Sequence, residues 1–261
     1  METKELATLR AIVSEIDGME GQRSFYYKNL VTGVTCGYQE EEARLAASVI
    51  KFPLFLHVLK ECAEGRLSLD DRLVTEMSDK VPSCGALNLF TGPVETDIRT
   101  LCRLMIDISD NTATNRLLRH FTLPKVEEGF ATIGLTKTRI RRFLFDIEAS
   151  RRGVQNTICL PELGALLEAL YRGEFIDAET SKFALDVLLA QQIDHKLDGK
   201  LCGEVPIAHK TGEDEDLSND IGIVFAPQPF VIGFAGNNVD VFQWETLIRR
   251  AAYDLYHAQI D

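Results

Sequence analysis

Leu6, Leu9, Ile12, Val13 and Ile16 recur at the three- and four-residue spacing of one helix face, and Gly18 follows them. The chain therefore opens with an amphipathic helix that stops at a glycine. Residues 23–30 and 34–38 are rich in aromatic and β-branched side chains and flank Thr32-Gly33, which predicts a hairpin. Helical periodicity returns over residues 48–65, and the chain to about residue 191 reads as almost wholly helical. Within it, residues 97–108 carry Ile98, Leu101, Leu104, Met105 and Ile108 on one stripe, and residues 163–171 form a second clear helix. Strand character reappears over residues 205–210, 221–226 and 230–235, the last two joined by a Pro227-Gln228-Pro229 turn. A final helix spans residue 241 to about 257.

Strands at both ends with helices between them predict an α/β (α+β) chain. One antiparallel sheet is assembled from the N- and C-terminal segments, flanked by helices, with an all-helical subdomain inserted between. The expected boundaries are 1–43 and 192–261 for the α/β part and 44–191 for the helical part, within a single unit of residues 1–261. A cleft between the two parts is the natural place for a site.

Composition narrows the function. The 261 residues carry 28 Lys+Arg against 40 Asp+Glu, a formal charge of −12, so a nucleic-acid partner is not expected. The most apolar long stretch, residues 221–236, is broken by Pro227, Gln228 and Pro229, so no membrane partner is expected either. The opening segment carries Glu2, Lys4, Glu5, Arg10 and Glu15 and lacks the apolar core of a signal peptide. As written the chain is expected in the cytosol, and exported if a signal once preceded it. The six cysteines, at 36, 62, 84, 102, 159 and 202, show no metal-type pairing, so neither a metal nor disulfides are expected.

Of ten serines only Ser48 has a lysine three residues on, Lys51, at the start of an apolar-periodic helix. Residues i and i+3 share a helix face, so the amine can reach the hydroxyl, and first-turn N–H groups favour an oxyanion. The second element is Ser109-Asp110-Asn111 between two predicted helices. It reads as capping residues, or as a proton relay (Ser109) with a side-chain donor to substrate (Asn111). The third is Lys210-Thr211-Gly212 at the end of a predicted strand, where the glycine would let a substrate lie against the strand edge.

Together, in this order, the three motifs make the chain resemble a class A β-lactamase-type serine hydrolase, in the superfamily with the penicillin-binding proteins. The resemblance covers essentially the whole chain. It includes the 61-residue separation of Ser48 and Ser109, the run Pro82-Ser83-Cys84-Gly85-Ala86-Leu87 and the stretch Asp110-Asn111-Thr112-Ala113-Thr114-Asn115. It implies that Ser48 is the acylated nucleophile and Lys51 its base or proton partner. It further implies that Ser109 relays a proton to the leaving nitrogen, Asn111 orients substrate, and Lys210 and Thr211 meet its carboxylate. The backbone N–H groups of Ser48 and Glu213 would form the oxyanion hole. The implied partner is a small-molecule acyl substrate, a β-lactam or related amide or ester, and no cofactor is implied. An esterase or peptidase of the same superfamily, or a slowly deacylating penicillin-binding sensor, are the other expectations.

The chain departs from that pattern in three places. The family's E-x-x-L-N loop motif has no match in residues 143–153, where Asp146 or Glu148 stand as alternative water-activating carboxylates, or as structural ions paired with nearby arginines. Asn156 lies further along the loop. After Lys210-Thr211-Gly212 come Glu213, Asp214, Glu215 and Asp216, with no Lys or Arg until Arg249, so the sheet brings no arginine to a substrate carboxylate. The acidic run reads as a solvated turn; facing the cleft, it would favour a neutral or cationic substrate. The family's frequent disulfide has no match, since Phe55 stands where the partner of Cys102 would be. Arg139, Arg141, Arg142, Arg151 and Arg152 read chiefly as structural ion-pair residues, and His209 as a satisfied strand histidine beside Lys210.

Overall fold

A computed structural model describes residues 3–260; Glu2, counted above among the opening charges, lies outside them. The first helix, α1 (Lys4–Asp17), starts where the Thr3 hydroxyl accepts a hydrogen bond from the Leu6 N–H, and ends at Gly18. Strands β1 (Gln22–Asn29) and β2 (Thr35–Tyr38) follow as the expected hairpin, then the two-residue strand β3 (Arg44–Leu45). Ala47–Ile50 form a single 3-10 turn leading into α2 (Lys51–Ala63). Ser48 thus sits on a tighter turn than the α-helical start expected of it.

The middle of the chain is less uniformly helical than its periodicity suggests. Strands β4 (Arg72–Thr75) and β5 (Val94–Asp97) pair antiparallel as a short ribbon ahead of α3 (Ile98–Asp107). Helices α4 (Asn111–Phe121), α5 (Leu123–Thr132) and α6 (Ile147–Arg151) come next. Strand β6 (Thr157–Ile158) then pairs with β3, and α7 (Leu160–Arg172) and α8 (Ala178–Leu189) close this part. Two- and four-residue strands leave too little alternation for a sequence pattern to reveal.

The C-terminal strands are longer than expected: β7 (Ile207–Asp214), β8 (Leu217–Val224) and β9 (Phe230–Asn237), followed by α9 (Val241–Ile260). Lys210-Thr211-Gly212 therefore lies inside β7, and the acidic residues continue that strand into a tight hairpin in which Asp214 pairs with Leu217. The start of β8 was hidden because Ser218, Asn219 and Asp220 are polar yet fully buried.

The sheet has the order β2-β1-β9-β8-β7, so N- and C-terminal segments interleave and β7 forms one edge. One apolar core packs α1 and α9 on one face: the Phe25 and Phe234 rings meet tilted, with centroids 5.0 Å apart, and Trp244 meets Phe234 edge-on and donates to the Ser218 carbonyl at 2.8 Å. The other core joins the opposite face to the helices that flank Ser48 and Ser109. Burial of these two faces fixes the sheet against the helices, and the edge of β7 meets the Ser48 turn.

Candidate active site

Lys51 is fully buried, and its Nζ has four oxygen neighbours: Ser48 Oγ at 2.9 Å, Ser109 Oγ at 2.9 Å, Ser109 O at 2.7 Å and Asn111 Oδ1 at 2.7 Å. Burial, reinforced by the nearby Lys210 charge, holds the amine well below the usual lysine range. A neutral amine has two N–H donors and one lone pair. The two carbonyl-type oxygens, which can only accept, take the donors, leaving the lone pair for a serine hydroxyl hydrogen. Ala47, next to Ser48, adopts φ 41° and Ser109 φ 56°, left-handed conformations costly for side-chain-bearing residues and common at functional sites.

The Ser109-Asp110-Asn111 turn caps α4 and also faces the cavity. The Asp110 carboxylate caps α4 by accepting from the Ala113 N–H at 2.9 Å, and it also accepts from the Ala86 and Leu87 N–H groups at 2.7 and 2.9 Å. This ties the 82–87 segment to the site, and it requires Gly85: at φ +121° an added Cβ would lie 2.3 Å from the Asp110 carboxyl carbon. Ser109 and Asn111 both line the cavity, so their capping neighbourhood presents them to it.

From the sheet side, Lys210 Nζ reaches Ser109 Oγ at 3.2 Å and the Thr211 carbonyl at 2.9 Å. Burial brings its pKa down to about 7; Lys196 pushes the same way and Asp220 opposes. Gly212 is needed for close approach, because a Cβ there would lie 3.0 Å from Ala46 O and from the Ser48 and Val49 nitrogens. The cavity in front of these groups measures about 680 Å³ and is lined by Ser48, Ser109, Asn111, Thr211, Gly212 and Glu213, among others, while Lys51 and Lys210 are fully buried beside it. Among the described residues no cluster suited to a metal ion occurs, and no helix is long and apolar enough to cross a membrane.

The family described as "Beta-lactamase enzyme family" matches residues 6–259. The chain belongs to the β-lactamase enzyme family. A β-lactamase of Rhodobacter capsulatus is 30% identical over 150 residues, 57% of this chain and 51% of that relative, so the match spans about half the length of that protein. Among solved structures, PBP-A superposes with a TM-score of 0.88 at 26% identity, covering 97% of this chain and 96% of that one. A β-lactamase from Sphaerobacter thermophilus superposes at 0.87 with 23% identity and 98% coverage of both chains, a likeness of fold.

In this family member the loop without E-x-x-L-N is held at both ends by asparagines. Asn115 exchanges two hydrogen bonds of 2.9 Å with the Leu144 backbone, and Asn156 Oδ1 accepts from the Arg141 and Arg142 N–H groups at 2.8 and 3.1 Å. The two carboxylates expected as alternatives part company here. Asp146 caps α6 by accepting from the Ala149 N–H at 2.9 Å and lines the cavity. Glu148 is 75% exposed by side chain, pairs with Arg151 at 3.3 Å and is outside the lining. Of the loop arginines, Arg139 pairs with Glu127 at 2.8 Å, whereas Arg142 lines the cavity and donates to Gln155.

The acidic run is not only a solvated turn, since Glu213, Asp214 and Glu215 line the cavity. Two residues near it were not legible as functional. Lys196, in the loop before β7, is fully buried and reaches Glu213 Oε1 at 3.0 Å. Asp220 is fully buried on β8, where His209 Nδ1 lies 2.9 Å from Oδ1 and the Leu197 N–H donates to Oδ2 at 3.1 Å. His209 is thus satisfied, as expected of it. No motif marks Lys196, and Asp220 would have been found only by placing it opposite Thr211 in the hairpin register.

Proposed function

We propose that this family member is an active-site serine hydrolase that opens β-lactams through an acyl intermediate on Ser48. The observation that carries this reading is the 2.9 Å separation of Ser48 Oγ from the buried, low-pKa amine of Lys51. Neutral Lys51 accepts the Ser48 hydroxyl proton as Oγ attacks the lactam carbonyl carbon. The N–H groups of Ser48 and Glu213 receive the developing oxyanion. The proton then passes from Lys51 through Ser109 Oγ, 2.9 Å away, to the lactam nitrogen as the C–N bond breaks. Lys210 and Thr211 draw the substrate carboxylate, and Asn111 orients the side-chain amide. Water releases the acyl group, with the cavity-lining Asp146 taking its proton. PBP-A, 25% identical to this chain, has a variant in acyl-enzyme complex with penicillin G, which supports an acyl intermediate on this fold.

The charge around the cavity qualifies the substrate. Glu213, Asp214, Glu215 and Asp146 put four carboxylates on the lining against Arg142 and Arg151, so substrates with a neutral or cationic acyl side chain suit it better than doubly anionic ones. Intact-mass spectrometry with a penicillin, followed over time, tests the function. A transient adduct mapped to Ser48, with steady product formation, is expected. An adduct on another residue overturns the mechanism, and a permanent stoichiometric adduct overturns turnover.

A further inference from the structure

Lys196 takes no part in the reaction derived above, yet it is an ammonium-bearing side chain with no exposed surface, a costly placement unless its partners repay it. Three oxygens surround its Nζ: Gly212 O at 3.2 Å, Asn219 O at 3.1 Å and Glu213 Oε1 at 3.0 Å. Gly212 and Asn219 face each other in the β7–β8 register, so the ammonium grips both strands of the hairpin at one pair. The loop that carries it is held next door, where the Leu197 N–H donates to the buried Asp220 carboxylate at 3.1 Å. Asp220 in turn sits 2.9 Å from His209, so the lysine's backbone is anchored to the sheet on which it acts.

The Gly212 carbonyl and the Glu213 N–H belong to one peptide unit. A cation on the carbonyl oxygen withdraws electron density across that unit, makes the N–H a stronger donor and fixes the peptide plane. Lys196 is absent from the cavity lining and fully buried, so it does not itself touch a substrate. We propose that Lys196 is a positioning residue of the oxyanion hole, acting on the acyl carbonyl through the Gly212–Glu213 peptide. This rests on the reading of Ser48 as nucleophile and Glu213 N–H as an oxyanion donor. The Glu213 side chain, one of the carboxylates on the cavity lining, also balances the charge that does this.

The test uses a penicillin ¹³C-labelled at the lactam carbonyl and follows the acyl-enzyme by infrared difference spectroscopy, beside acylation rates. Parent protein that gives no Ser48 adduct refutes the underlying mechanism and not this inference alone. Given the adduct, Lys196→Gln keeps N–H donors for the two carbonyls and loses the charge, while Lys196→Arg keeps the charge. Deleting a whole oxyanion donor costs roughly a hundredfold or more in rate, so weakening one is expected to slow acylation by Lys196→Gln roughly tenfold and to move the acyl carbonyl band to higher wavenumber. Lys196→Arg should hold both near the parent. Lys196→Met carries the same expectation as Lys196→Gln, so a failure of one variant to fold leaves the other as the test. A purely structural lysine would lower the melting temperature and leave the band of the folded variant unmoved; that result overturns the proposal.

Discussion

Lys51 and Lys210 converge on one oxygen, Ser109 Oγ, at 2.9 and 3.2 Å, one arriving from a helix and the other from the sheet edge. The Lys210 charge helps hold Lys51 below the usual lysine range, and in the proposed reaction the serine between them passes the proton to the leaving nitrogen.

The first prediction is a bell-shaped dependence of acylation on pH. Lys51 must be neutral to accept a proton, so kcat/KM rises as pH climbs through its lowered pKa. Lys210 must be charged to draw a substrate carboxylate, so kcat/KM for an anionic penicillin falls as pH passes about 7. Lys210→Arg, which stays protonated, should lose the alkaline limb. A rate that stays flat from pH 6 to 9 in the parent would contradict this.

The same lysine has a stability signature. Its pKa is about 7 in the folded state against an ordinary 10.5, so between those values the unfolded chain binds more protons and raising the pH favours the fold. The penalty is complete below about pH 7 and vanishes above about 10.5. Lys210→Met should therefore melt higher than the parent at neutral pH, with the advantage shrinking toward pH 10, as differential scanning calorimetry will show.

Ser48→Ala should fold as the parent does and form no adduct, with a loss of many powers of ten in rate. Lys51→Ala should slow acylation comparably, because amine and hydroxyl act as one unit. Near-normal acylation in Lys51→Ala, measured by stopped flow, removes Lys51 from the mechanism.

Release of the acyl group should separate the two loop carboxylates. Asp146→Asn keeps the α6 cap but not the base, and is expected to slow deacylation by about a hundredfold, in the range of general-base catalysis. Glu148→Gln, at an exposed position, should change it less than about twofold. Pulse-chase mass spectrometry of the adduct reads both, and equal effects would remove Asp146 from the water-activating role.

Neutralising Asp214 and Glu215 as Asn and Gln should raise capture of an anionic penicillin by roughly tenfold at low salt, through Coulomb repulsion relieved in a partly screened site. The gain should shrink at high salt and be absent for a substrate with a cationic side chain. Stopped-flow acylation at two ionic strengths checks it.

Sequence alone reached the family and the residues that meet at the cavity, because the motifs that carry the resemblance are residue types at short spacings. Ser48 and Lys51 share one turn, Ser109 and Asn111 another, and Lys210, Thr211 and Gly212 are consecutive in β7, so each group is local. The sheet built from both chain ends was legible for a similar reason, since aromatic, β-branched and apolar runs mark β1, β2 and β9 one strand at a time. What the pattern hid was whatever gains its meaning from partners far along the chain. The polar start of β8 is buried because Asn219 and Asp220 find their partners in Leu45, Ala46, His209 and Leu197. Asp146 and Glu148 are chemically alike and two residues apart, and only the path of the loop from Asn115 to Asn156 sets one on the cavity and leaves the other in solvent. Lys196 is one of many lysines until β7 and β8 bring Gly212 O and Asn219 O to its amine. The acidic residues after Gly212 could equally have turned outward, and it is their continuation of an edge strand beside Ser48 that places their charge on the cavity.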